Sequence, residues 1–224
     1  MKIAEIFYSV QGEGSLLGAP SVFIRTSGCN LRCSWCDTPY TSWNPEGAEM
    51  TEAEIVDRVR ATNAPYAVLT GGEPLIAPGA KSLIEKLHDL GMHVTIETAG
   101  TIYIEDLKCD LMSISPKLSN STPEGAFRNQ HERLRIQPET LQALVGNYDY
   151  QLKFVISESK DLEEVQALIG MLQADPKKVI LMPEGKDAQT LHDRSLWLVE
   201  VAKETGFRFS PRLHVDLWGN RRGV

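Results

Sequence analysis

The stretch PSVFIRTSGCNLRCSWCDTPY, Pro20 to Tyr40, joins a strand signal to a cysteine loop. Its first third, PSVFIRT, is β-branched and aromatic, a composition that suits a pleated, half-buried surface. The remainder holds three of the four cysteines in the chain, Cys29, Cys33 and Cys36, spaced C-x3-C-x2-C. An apolar run followed by a polar or Gly-rich motif recurs further on: YAVLT leads into GGEP, HVTIET into AG, CDLMSIS into PK, and KVILM into PEG. Amphipathic segments lie between these runs. TEAEIVDRVRAT opens on Thr51 with Glu54 in the capping-box position and puts Ile55, Val56 and Val59 on one face. AKSLIEKLHDLG is stopped by Gly91. SKDLEEVQALIGMLQ and DAQTLHDRSLWLVEVAKETG read as further helices, and DYQLKFVIS as a further strand. This alternation predicts a parallel sheet with crossover helices. The chain of 224 residues is short for an eight-fold barrel of ~250 residues. The expected fold class is therefore α/β: a partial, shortened (β/α) barrel of about six parallel strands with reduced helices. Such folds build their sites at the carboxyl ends of the strands, where the polar motifs fall.

A single domain over residues 1–224 is expected: an N-terminal strand and loop (1–18), a core (19–210) and a C-terminal segment (211–224). The polar stretch KLSNSTPEGAFRNQHERLRIQ, from Lys117, reads as a long loop or insertion with at most a short helical turn. The composition, 42% hydrophobic and 24% charged, supports a packed core. A formal net charge of −7 argues against gripping a nucleic-acid backbone. No window approaches the roughly 20 apolar residues that span a bilayer, and the N-terminus lacks a signal-peptide pattern. A cytoplasmic location is expected, where a tight cysteine cluster is metal-binding or catalytic before it is disulfide-bonded.

Three thiolates suit an iron–sulfur cluster in which a fourth iron stays open to another ligand. A closed zinc site needs a fourth ligand, and the nearest histidine in sequence is His88. A zinc-binding module therefore requires a ligand from afar and stands as the non-enzymatic alternative. C-x3-C-x2-C with the aromatic Trp35 before the last cysteine resembles the cluster loop of radical S-adenosylmethionine (SAM) enzymes. GGEP, Gly71 to Pro74, resembles their SAM-binding motif. A glycyl-radical-enzyme activase shares the cysteine spacing and the short length, and is the alternative within that superfamily. Two further segments, FYSVQGEG (Phe7 to Gly14) and CDTPYT after the last cysteine, resemble the 7-carboxy-7-deazaguanine synthase family.

That resemblance implies a carbon–nitrogen lyase that contracts 6-carboxy-5,6,7,8-tetrahydropterin to 7-carboxy-7-deazaguanine with loss of ammonia, toward queuosine-type 7-deazapurines of modified tRNA. It implies a [4Fe-4S] cluster, SAM and Mg2+, a homodimer, and a flavodoxin- or ferredoxin-type electron donor. Cys29, Cys33 and Cys36 would ligate the cluster, and Thr38 would occupy the Mg2+ position. Trp35, Cys36, Asp37, Gly72, Glu73, Ser113, Ile114, Ser115, Lys117, Met182, Pro183, Glu184 and Gly185 would surround SAM. Glu97 would touch the SAM ribose or substrate, with a plain salt bridge as the other reading. Val10, Gln11, Gly12, Glu13, Arg25, Thr70, Lys153 and Val224 would face the pterin. Gln11 and Glu13 suit the donor and acceptor edge of an aminopyrimidinone, and Arg25 suits a carboxylate. Lys153, in the apolar run LKF, is either a site cation or a snorkelling side chain. Cys109 reads as a buried small hydrophobe, and no histidine falls in a matched motif.

Overall fold

Short β-branched runs pair in register while the amphipathic segments cover them. The computed structural model describes residues 1–224. In chain order its elements are β1 (Lys2–Val10), β2 (Pro20–Thr26), α1 (Pro39–Ser42), β3 (Ala48–Glu49), α2 (Glu52–Arg60), β4 (Tyr66–Gly71), α3 (Ala80–Asp89), β5 (His93–Thr98), β6 (Leu111–Ile114), α4 (Arg128–Arg135), α5 (Pro138–Asn147), β7 (Tyr150–Ile156), α6 (Asp161–Leu172), β8 (Val179–Pro183), α7 (Ala188–Thr205), β9 (Arg208–Phe209) and α8 (Leu213–Trp218). The strands form one sheet in the order β3-β1-β2-β4-β5-β6-β7-β8-β9. From β2 through β9 every neighbouring pair is parallel. The sheet does not close, because β3 and β9 are edges. The expected strands are therefore present as β2 and β4 to β8, with the two-residue β9 beyond them. β1 adds an antiparallel hairpin on β2, with Phe7 opposite Phe23 and their rings stacked.

The helices form for the reasons their sequences give. Thr51 accepts from Glu54 N–H and the Glu54 carboxylate accepts from Thr51 N–H, closing the capping box of α2. Ile55, Val56 and Val59 face inward from α2, and Leu83, Ile84 and Leu87 from α3. Covered on both faces, β7 and β8 are buried at every residue. Lys153 is the one charged side chain in that pair of strands. An unpaired ammonium there would be costly, so its partners matter below. Cys109 is only half-buried, packed against the rim of the core. No helix is long and apolar enough to cross a membrane.

The polar stretch from Lys117 departs from the expected loop. It contains two short 3-10 turns and the eight-residue helix α4. Only His131 of α4 is buried, so the helix carries almost no apolar periodicity to read. What fixes it is a polar anchor on the cysteine loop.

Candidate functional site

The carboxyl ends of the parallel strands and the loops that follow them line one open cavity of about 500 Å3. Val10, Gln11, Gly12 and Glu13 enter from the end of β1, and Arg25 from β2. The cysteine loop brings Cys29, Cys33, Trp35, Cys36, Asp37 and Thr38. Thr70, Gly71 and Gly72 come from β4, Glu97 from β5, Ser115 and Lys117 from beyond β6, Lys153 from β7, and Met182 and Glu184 from β8. Val224 reaches the same wall with Asn220 to Gly223. The sequence-derived site residues thus meet at one end of the sheet, with five exceptions.

Those exceptions are Glu73, Ser113, Ile114, Pro183 and Gly185, none of which lines the cavity. Glu73 is fully buried and turned into the fold. Its carboxyl accepts from Thr98 Oγ1 at 2.9 Å, Ala99 N–H at 2.9 Å and Leu75 N–H at 3.2 Å. Burial raises its pKa despite these donors. Glu73 is a strut that joins the GGEP turn to the end of β5. Ser113 donates to Glu97 at 2.9 Å and accepts from Gln151 at 2.7 Å, holding the wall from behind. Ile114 is core because strand alternation turns it away from Ser113 and Ser115. Pro183 ends β8, and Gly185 offers its carbonyl to Arg212 at 2.6 Å.

The cysteine loop is braced from three sides. Gly28 O accepts from Glu73 N–H at 2.9 Å, and Gly28 N–H donates to Thr41 O at 2.8 Å. Trp43 Nε1 donates to Cys33 O at 3.0 Å, and Trp35 Nε1 to Asn120 O at 3.0 Å. From α4, buried His131 Nδ1 accepts from Arg32 N–H at 3.1 Å, while its Nε2 meets Ser121 Oγ at 2.9 Å. Burial lowers the pKa of His131, which favours the neutral ring that can accept. The three thiols are free. They line one cavity, and no three His, Cys, Asp or Glu side chains gather round a single ion position. Burial pushes the Cys29 thiol up to about 11 and the Cys33 thiol up to about 12. Such thiols ionise when metal takes the proton's place, as iron–sulfur ligands do. The donor set therefore fits a cluster held by three thiolates.

Gly72 shows how closely the GGEP turn presses on this loop. A Cβ there would stand 2.2 Å from Gly28 O and 2.6 Å from Cys29 Cβ. Gly72→Ala is expected to displace the first cluster cysteine, with iron retention after reconstitution falling to less than about half and stability falling by ~1–3 kcal/mol. Iron analysis and a thermal melt of the reconstituted protein check this.

The same cavity is lined by a buried charge network. Lys153 Nζ sits 2.6 Å from Glu13 Oε2 and 3.0 Å from Glu97 Oε2. It is a cation of the cavity wall, which resolves its two readings. Glu97 also accepts from Ser113 and, at 3.4 Å, from Gln11 Nε2, so it is a salt-bridged part of this wall. Burial alone would raise the Glu13 pKa, but Lys153, Arg212 and His214 together hold its carboxyl well below the usual range. Arg25 runs along the Phe7 ring with Glu5 at 3.7 Å. Gly12 lies against His214, where a Cβ would come within 2.2 Å of Nδ1.

Arg212, His214 and the cavity position of Asn220 to Gly223 are not apparent from the motifs. Their available signal is position: SPRLH follows the last strand, where α/β sites collect. Arg222 stacks on Tyr40 at 3.4 Å from the ring centre and pairs with Glu46 at 3.1 Å and Glu5 at 3.4 Å, which ties the tail across the cavity mouth.

Comparison with known proteins bears on the same elements. The Radical SAM superfamily profile matches residues 23–140. A 7-carboxy-7-deazaguanine synthase of Halobacterium salinarum is 44% identical, over 98% of this chain and 91% of the relative. That of Rhodopirellula baltica is 43% identical, over 99% and 88%. The crystal structure of QueE from Escherichia coli superposes with a TM-score of 0.71 over 95% of this chain and 94% of that one, at 24% identity, and so shares the fold.

Proposed function

The chain belongs to the 7-carboxy-7-deazaguanine synthase family of radical SAM enzymes, and from that premise we propose how its cavity divides between cofactor and substrate. The reaction converts 6-carboxy-5,6,7,8-tetrahydropterin to 7-carboxy-7-deazaguanine with loss of ammonia, in the queuosine-type 7-deazapurine pathway. The observation that carries the division is that three thiols and the Glu13–Lys153–Glu97 network line one cavity. When bound, the [4Fe-4S] cluster and SAM supply the hydrogen-abstracting chemistry.

Cys29, Cys33 and Cys36 would hold the cluster, which would offer its remaining open position to SAM. Gly72 lets the backbone approach the cysteine loop, and Trp35, Asp37, Ser115, Lys117, Met182 and Glu184 surround SAM. Glu73, Ser113, Ile114, Pro183 and Gly185 support that wall from behind. Glu13 and Gln11 take the aminopyrimidinone edge, with Val10, Gly12 and Thr70 shaping the walls. Arg25 meets the substrate carboxylate. Lys153 helps to keep Glu13 ionised, so that it acts as an acceptor, and pairs with Glu97 at 3.0 Å. The tail ending at Val224 closes over the substrate and excludes water.

Thr38 would hold Mg2+ together with substrate carboxylate and water. Thr38 lines the cavity as the N-cap of α1 without a side-chain cap bond, and its hydroxyl lies 3.9 Å from Cys36 Sγ and 3.5 Å from Thr41 Oγ1. Thr38→Ala is expected to lose Mg2+ stimulation, with turnover at saturating Mg2+ down about tenfold, the size of one lost ligand contact. Turnover titrated with Mg2+ after chelation checks this.

The chain acts as one domain over residues 1–224 and works as a homodimer, for which exposed Tyr8 and Leu17 on the N-terminal hairpin are candidate contacts. A flavodoxin- or ferredoxin-type protein supplies electrons, and the reducing cytoplasm suits three free thiols. The test is anaerobic turnover of the carboxypterin with SAM, reductant and protein reconstituted to about four irons per chain. Formation of the deazaguanine acid is expected. A brown, SAM-cleaving protein that forms none would overturn the assignment.

A further inference from the structure

We propose that Arg212 is a positioning residue that couples the SAM side of the cavity to the substrate side. One guanidinium touches three segments that are far apart in sequence. Its Nε lies 3.0 Å from Glu13 Oε1 on the loop after β1. Its Nη2 pairs with Asp37 Oδ2, directly after the last cluster cysteine. Its Nη1 donates to Gly185 O at 2.6 Å, beyond the end of β8. Arg212 is 8% exposed, so its charge has left water and depends on these partners.

The geometry needs arginine. A planar fork presents donors in fixed, diverging directions, and each here has a different acceptor. Lysine would offer one point charge and could satisfy one carboxylate well. Glu13 is held on its other oxygen by Lys153, and the carbonyl of Gly12 accepts from Leu213 N–H at 2.9 Å. The loop after β1 therefore has anchors apart from Arg212, and Gly14 N–H and Ser15 N–H add two more, donating at 2.8 Å to Ser210 Oγ and Gln151 Oε1. Asp37 has no other charged partner within ion-pair distance. The inference rests on the reading that Asp37 faces SAM and Glu13 faces the pterin. Under that reading, moving either carboxylate moves the fork and with it the other.

Coupling of this kind has a signature that support alone lacks. Asp37→Asn is expected to weaken pterin binding, and Glu13→Gln to weaken SAM binding, each about tenfold beyond its own wall, the size of a lost charge-assisted hydrogen bond. Arg212→Gln is expected to weaken both ligands, with Arg212→Lys restoring one of the two. Equilibrium binding of SAM and of the carboxypterin to each reconstituted variant reads this out. Hydrogen exchange on the cluster-free protein gives a second reading, in which residues 11–16 and 36–42 loosen together in Arg212→Gln. If Arg212→Gln does not fold, the crossed effects of Asp37→Asn and Glu13→Gln still decide. Asp37→Asn altering SAM affinity alone, with Glu13→Gln altering pterin affinity alone, overturns the coupling. A wild-type protein that forms no deazaguanine instead overturns the functional reading, so the two failures are distinct.

Discussion

Cys33→Ser is expected to purify colourless, with iron reduced from about four per chain to less than about one and turnover lowered at least ~1000-fold, some 4 kcal/mol of barrier. Cys33 is buried, and burial pushes its thiol up to about 12. The site thus resists a bare thiolate and becomes favourable when iron neutralises it. Serine keeps the size but presents an alkoxide far harder to form, so the ligand is lost while the shape remains. Trp43 Nε1 still has Cys33 O to bond, because that contact is to backbone. The loop should therefore stay folded, and the loss should be chemical. Cys109→Ser is the control. Cys109 lies outside the cavity, half-buried against the core, and its serine variant should keep its iron and colour. Iron assay and the visible spectrum decide, and a Cys33→Ser protein that retained a full cluster would remove these thiols from the proposed role.

What was legible in the sequence was what is local in it. Cys29, Cys33 and Cys36 lie on one loop and GGEP follows a strand directly, so spacing and strand order brought these together, whereas QGEG joined them only through the family resemblance. Lys153 stood out as a charge in an otherwise apolar strand, though the sequence left a site cation and a snorkelling side chain both open. The rest depended on contacts between distant residues. Arg212 meets Glu13 across 199 positions and Asp37 across 175. His131 meets Arg32 across 99. No periodicity encodes such pairs, and α4 buries too little apolar surface to announce itself as a helix. Glu73 misled for a related reason. A carboxylate in a motif beside a site reads as facing it, whereas the turn after Gly72 points this one at Thr98 and Ala99. Motif membership gave the neighbourhood, and backbone direction gave the role.

Lys153→Met is expected to be the most destabilising single change in the cavity wall, by ~3–5 kcal/mol near pH 8, the usual result of removing one partner of a buried pair. At roughly 2–4 °C per kcal/mol for a chain of this size, the melting temperature should fall by about 6–20 °C. Methionine fills the space of the lysine stem, so the loss is electrostatic. Glu13 keeps Arg212, but Glu97 has no second cation within ion-pair distance. The pH dependence gives the sign. In the wild-type protein the Glu13 pKa is depressed, burial being outweighed by Lys153 and Arg212. Its ionised form therefore contributes stability above the unfolded value of about 4.3, and that stability is lost as pH falls through the lower folded value. In the variant Glu13 keeps Arg212 but loses the lowering by Lys153, so less of that stability is present above about 4.3. The melting-temperature gap between wild type and Lys153→Met should thus be full above about pH 5 and narrow as pH falls below about 4. Adding Glu97→Gln should close part of the gap at pH 8, since the glutamine amide carries no charge to strand. A gap that stays constant with pH would mean that Lys153 acts through packing, and the charge network would then not be what holds the substrate wall in shape.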